Sequence, residues 1–119
     1  MSTSTLKKFL VLYLVPADVL SGWAKTDPAT KKAAEQKMQG DWRRWMSDHA
    51  KMITVTEGAG KTKVVTSAGI EDTKNDIMLY SIVEAKDHDA AATAFGNHPH
   101  LSIPKSSIQV MEVRPMGHA

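Results

Sequence analysis

The chain contains no cysteine among its 119 residues. Disulfides, thiolate nucleophiles and cysteine-held metal sites are therefore excluded. No apolar run approaches the roughly 20 residues that a membrane-spanning helix needs. Neither sign of charge dominates: 15 Lys and Arg against 13 Asp and Glu leave a formal charge of +2. The basic residues come as separate pairs, Lys7-Lys8, Lys31-Lys32 and Arg43-Arg44. Nucleic-acid recognition asks for a basic face with interleaved aromatics, and this pattern supplies only a solvated surface. Repeats, low-complexity segments and a second domain are also lacking, and the length suits one domain. The expectation is a single domain over residues 1–119, with Met1–Thr5 as a flexible polar tail, and neither nucleic acid nor membrane as partner.

What the chain does have is an oily first strand. Phe9-Leu10-Val11-Leu12-Tyr13-Leu14-Val15 carries no polar group except the Tyr13 hydroxyl. Alternate side chains of a strand point to opposite faces, so Phe9, Val11, Tyr13 and Val15 face one way and Leu10, Leu12 and Leu14 the other. Both faces ask for cover. Lys7-Lys8, this run and Gly22-Trp23-Ala24 also imitate the layout of an export signal. The run is too short and ends too sharply at Pro16 and Asp18 for that, so it reads as a strand, Lys8–Val15, of a cytoplasmic protein.

Ala17–Thr26 reads as a loop. Asp27-Pro28 then starts a helix, Asp27 as N-cap and Pro28 at the first helical position, running from Ala29 to about His49. Its apolar stripe is Ala34, Met38 and Trp42, with Trp45 and Met46 beside it. Gly40 interrupts it, either through close approach to the sheet or as a mild flaw. Lys51–Glu57 reads as a strand, Gly58-Ala59-Gly60 as a hairpin turn and Lys61–Thr66 as a short returning strand. Ser67–Asp76 reads as a loop. Ile77–Ala85 is a strand apolar on both sides. Asp87 caps a second helix rich in alanine that ends at Gly96-Asn97. His98–Pro104 reads as an extended connector and Ile108–Val113 as the last strand.

The order is β-α-β-β-α-β with an added short strand, the pattern of an α+β, ferredoxin-like fold with an antiparallel sheet. Its two central strands would be the two runs that are apolar on both faces. Two helices cover one face; the other would meet the sheet of a second copy, giving a homodimer.

Few motifs carry chemistry. Gly58-Ala59-Gly60-Lys61-Thr62 imitates the end of a phosphate-binding loop, but Val55 stands where a glycine is needed and strand formers follow instead of a helix. His98-x-His100 supplies two imidazoles. In an extended segment they would point to opposite sides, and no third ligand is placed nearby, so no metal is expected. Both should lie near Tyr13, Pro16, Asp18 and Trp23 and near the start of the first helix, whose free N–H groups suit an anion. There His100 and Asp18 would form an acid–base pair; alternatively His98 caps a helix end and His100 bonds a carbonyl. Trp42 and Trp45 would pack in the core or, with Tyr13, Tyr80, His98 and His100, wall a pocket for a small organic ligand. His49, near Asp87, His88 and Asp89, reads as part of a surface ion pair.

Several segments together, in order, resemble the YCII-related proteins of the dimeric α/β-barrel superfamily: Lys8-Phe9-Leu10-Val11-Leu12-Tyr13, Trp42-Arg43-Arg44-Trp45-Met46, Gly60-Lys61-Thr62, Tyr80-Ser81-Ile82-Val83-Glu84-Ala85 with Asp89-Ala90-Ala91, Pro99-His100-Leu101, Ile108-Gln109-Val110 and Arg114-Pro115-Met116. The resemblance spans about Lys7 to Met116. It implies a ferredoxin-like subunit, a dimer joined through its sheets and a pocket between sheet and helices. Some members carry a His–Asp pair; here Lys31 and Lys32 stand near the start of the first helix where those members have a histidine. The superfamily also implies a second activity, a haem-using or cofactor-free monooxygenase, for which Asn97, His98 and a helix Trp are the residue types. A non-catalytic interaction module is the third reading. None of the three, apart from the haem alternative, calls for a cofactor.

Overall fold

The structure is a computed structural model that describes residues 6–116; the polar tail Met1–Thr5 lies outside the described residues. Among the described residues the strands are β1 (Lys7–Leu14), β2 (Ile53–Gly58), β3 (Thr62–Thr66), β4 (Gly69–Thr73), β5 (Ile77–Ala85) and β6 (Ser107–Glu112). The three helices are α1 (Ala17–Ala24), α2 (Pro28–Asp48) and α3 (His88–Ala94), and Pro99–Ser102 forms a 3₁₀ turn.

Local chemistry sets the helix starts. The Asp27 carboxylate accepts from the Thr30 N–H at 3.0 Å and Pro28 opens α2. The Asp87 carboxylate accepts from the Ala90 N–H at 2.8 Å at the head of α3. Each satisfies one of the amides a helix start leaves open.

The main sheet is antiparallel in the order β2-β5-β1-β6. β1 and β5, the runs apolar on both faces, are its central strands. On one face Phe9, Val11, Tyr13 and Val83 meet Trp45 of α2, Ala91 of α3 and Phe95 just after it, and this cluster is the core. On the other face the cross-strand register aligns Met111, Leu10, Ile82 and Val55 in one row, and Gln109, Leu12, Tyr80 and Glu57 in the next. Leu10, Leu12, Tyr80 and Ile82 there are only half-buried.

Four segments differ from the sequence reading. Ala17–Thr26 contains α1, where a loop was expected. The carbonyl of Pro16, held extended, accepts from Val19 and Leu20 at 3.1 and 3.4 Å, and Asp18 sits in the first turn, where negative charge is favoured. Lys61–Thr66 does not return against β2. β2 pairs only with β5, and β3 instead pairs with β4, inside the expected loop Ser67–Asp76, through a turn at Ser67-Ala68. Gly69 takes a positive φ of 138° there, the backbone freedom that only glycine has without strain. The polar residues Glu71, Asp72 and Thr73 hid β4, because β-propensity reflects half-buried packing and this strand is exposed throughout. His98–Pro104 winds into a 3₁₀ turn where an extended connector was expected, with Pro99 in its first turn.

The hairpin β3–β4 forms a sheet of its own, apart from the main one. The radius of gyration is 17.0 Å, against about 13.5 Å for a compact domain of this length.

A Cβ added at Gly40 would meet nothing within 4 Å, so this glycine is a propensity cost and not a packing device. Gly40→Ala should stabilise the fold by about 0.5–1 kcal/mol in urea denaturation. Phe9→Ala, in the core, should cost about 3–5 kcal/mol by the same measurement.

Candidate functional site

Tyr13 is the centre of an aromatic and imidazole cluster. Its ring lies 5.3 Å from Trp42, 6.2 Å from Phe95, 5.3 Å from His98 and 5.6 Å from His100, centre to centre. Trp42 and Trp45 flank His98 at 4.3 and 4.4 Å. Of the residues expected to share one volume, Tyr13, Trp42, Trp45, His98 and His100 do so. Tyr80 does not: it faces the opposite side of the sheet, where its hydroxyl donates to Glu57. The alternation along β5 that buries Ser81 turns Tyr80 outward.

The cluster is solid. Tyr13 is fully buried, His98 is 2% exposed and His100 1%. The two imidazoles do not point apart, as an extended segment would have required, because the 3₁₀ turn brings both onto Tyr13. The His98 Nδ1 accepts from the His100 N–H at 2.9 Å and so caps the turn. The His100 Nε2–H donates to the Leu14 carbonyl at 3.0 Å. His100 is thus spent on a backbone oxygen. Asp18 pairs with Lys105 at 3.3 Å on the surface, so the expected His100–Asp18 pair is not formed.

Since Nδ1 accepts, the neutral His98 ring carries its proton on Nε2. Among the described residues that N–H and the Trp45 Nε1–H are buried with no oxygen or nitrogen partner. Aromatic faces surround them, and edge-on ring packing offers such N–H groups a weak acceptor. Burial, then the nearby His100 and His49, push the His98 pKa down to about 3. Burial also lowers that of His100, while bonds to the Leu14 and Ser107 backbone pull it back. Burial raises the Tyr13 pKa, partly offset by its bond to Ser81. The Tyr13 hydroxyl, the Ser81 hydroxyl and the Thr56 hydroxyl form a chain of bonds 2.8 and 2.7 Å long.

The cluster does not suit haem. A ligand imidazole needs a nitrogen open to the iron, whereas His98 is enclosed by Trp42 and Trp45 and the His100 Nε2 is bonded. Neither histidine near the other end of α2 forms the expected ion pair. His49 stacks on Trp45 at 4.1 Å and donates Nδ1–H to the Trp45 carbonyl at 2.9 Å. His88 stacks on Phe9 at 5.3 Å and donates Nε2–H to the Val110 carbonyl at 2.8 Å. Among the described residues no group of three or more His, Asp or Glu is placed to hold a metal ion, and no helix is long and apolar enough to cross a membrane.

Open space lies beside the cluster. A cleft of about 970 Å³ runs between α1, the middle of α2 and the 3₁₀ segment. Trp23, Met38, Met78, Val19 and Ile103 line it, with Asp18, Glu35, Lys37 and Asp41 also on its walls. Of the residues singled out from sequence as site candidates only Asp18 lines it. Lys37 and Asp41 pair with each other at 2.7 Å. The missed signal was the spacing of Val19, Leu20 and Trp23, three and four apart, the period of one helical face.

The two depressed histidines set a pH dependence. Between pH 6.5 and about 4.5 the unfolded chain takes up protons that the folded one refuses. Stability is therefore full above pH 6.5 and is lost as pH falls, by up to about 1.4 kcal/mol per pH unit for His98 alone. Urea midpoints measured from pH 7.5 to 4.5 should fall accordingly, and His98→Gln should flatten the slope.

No protein-family model and no curated protein matches the chain, so the resemblance to YCII-related proteins rests on the quoted segments. One solved structure from Bacillus halodurans C-125, described as an ethyl tert-butyl ether degradation (EthD) family protein, aligns over 92% of this chain and 100% of its own, with 13% identity and a TM-score of 0.36.

Proposed function

We propose that the protein is a homodimer, joined through the open faces of its sheets, that binds a modest apolar organic molecule in the cleft between α1, α2 and the 3₁₀ segment. The observation that carries the ligand is the cleft itself. Its half-buried Trp23, Met38, Met78 and Ile103 offer apolar contact, and its volume suits a small molecule.

The dimer is supported by the sheet. Strand order β2-β5-β1-β6, with α2 and α3 on one face, supports reading the subunit as ferredoxin-like. It leaves Met111, Leu10, Ile82 and Val55 as an apolar row across all four strands that the described residues only half-bury. A contiguous, incompletely covered apolar surface of this kind supports an association site. A second sheet stacked roughly 10 Å away would cover it, as the resemblance to YCII-related proteins implies.

Binding is favoured over His–Asp catalysis. His100 is bonded to Leu14 and Asp18 to Lys105, so no free acid–base pair faces the cleft from those positions.

Two measurements check the reading. In sedimentation at micromolar concentration the protein should run at twice its 13.0 kDa chain mass, and Leu12→Arg should give the single chain. A single-chain mass for the unaltered protein would overturn the dimer. Nile red should bind with increased fluorescence, and Met38→Arg should weaken binding at least about tenfold, near 1.4 kcal/mol. Unchanged binding would remove the cleft as the site.

A further inference from the structure

One wall of the cleft is a weakly anchored helix. α1 has no buried residue and no side-chain cap at its start. A helix of eight residues is marginal in water, and Gly22 in its second turn lowers its propensity further. Its apolar face, Val19, Leu20 and Trp23, lines the cleft together with Met38 of α2 and Ile103. Leu20 is 41% exposed. Side chains so placed gain burial only when the space before them is filled or narrowed. Pro16 lies extended at one end of α1, and at the other only Lys25 and Thr26 separate it from the Asp27 cap of α2. Short terminal links of this kind serve as hinges.

A strained lysine fastens this helix. Asp18, in the first turn of α1, pairs with Lys105 at 3.3 Å. Lys105 directly follows Ile103 and Pro104, which belong to the cleft wall. The Ser106 N–H donates to the Ile103 carbonyl at 3.1 Å, closing a turn around Pro104 and Lys105. Lys105 takes a φ of 60° there, the one non-glycine residue with positive φ among the described residues. Glycine fits that place in a turn without strain. Strained backbone of this kind is found at ligand clamps and switch segments. What glycine does not supply is the ammonium group that reaches Asp18. The two side chains are 69% and 67% exposed, and an ion pair at such exposure is weak, which suits a contact that opens and closes.

We propose that α1 is a lid on the cleft and that the Asp18–Lys105 pair is its clasp. An occupant draws Val19, Leu20 and Trp23 onto itself, and the clasp slows the opening that releases it. The lysine at a glycine-like position is then the stability given up for that hold.

The lid rests on the reading of the cleft as a ligand site, and the test separates the two. Nile red is the probe and the full chain is used. Lys25 is the C-cap of α1, so tryptic cleavage after it reports opening of that end. Bound dye should slow this cleavage at least about fivefold, while cleavage after Lys51, beyond the other end of α2, stays unchanged. Lys105 does not line the cleft. Lys105→Gly should release bound dye about two to five times faster in stopped flow, with a urea midpoint no lower than that of the unaltered protein. Asp18→Asn should release it as fast. Dye that binds without protecting Lys25, or that leaves both variants as slowly as the unaltered protein, overturns the lid and leaves the cleft standing. Failure of the unaltered protein to bind Nile red overturns both.

Discussion

The bond between the hydroxyls of Tyr13 and Ser81 is the constraint around which the interior is arranged. It joins the two central strands across the face that the helices cover, in a place that water does not reach. A buried phenol without a partner is costly, so the Tyr13 ring is held in one position. Trp42, Phe95, His98 and His100 then pack around that ring. Their positions in turn fix where α2, α3 and the 3₁₀ turn lie. Thr56 extends the bond to the edge strand β2, so a single chain of hydroxyls ties three strands in register.

The histidines serve that interior. His98 uses its own side chain to close the first turn of Pro99–Ser102, and His100 hands its proton-bearing nitrogen to the end of β1. Imidazole in a pattern of His-x-His suggests exchangeable protons, but here both rings are enclosed, and burial holds them neutral. The open space lies next to them, in the cleft beside the 3₁₀ segment.

Much of this was legible in the residues, for physical reasons that differ by element. Helices α2 and α3 were readable because Asp27 and Asp87 are strong caps at their starts. The central strands were readable because only a strand buried on both sides tolerates two oily faces. β4 was not, because Gly69–Thr73 carries Glu71 and Asp72 and packs against nothing, so periodicity had nothing to report. α1 was hidden by the absence of any buried residue in it and of a side-chain cap at its start. Proximity of Tyr13, Trp42, Trp45 and the two histidines followed from topology. Their close packing did not, since it depends on the pitch of the 3₁₀ turn, and so the open space fell one layer away, among Trp23, Met38 and Met78. Tyr80 was placed with Tyr13 although the alternation of β5 sets it on the face opposite Ser81, with Leu12.

The cleft shares no side chain with the core cluster: Trp23, Met38, Met78 and Ile103 lie on its walls, while Phe9, Tyr13, Val83 and Phe95 hold the fold. Substitutions at the first group spare the interactions that stability rests on. The lining can therefore be exchanged residue by residue, reshaping the hollow, while the packed interior keeps its geometry.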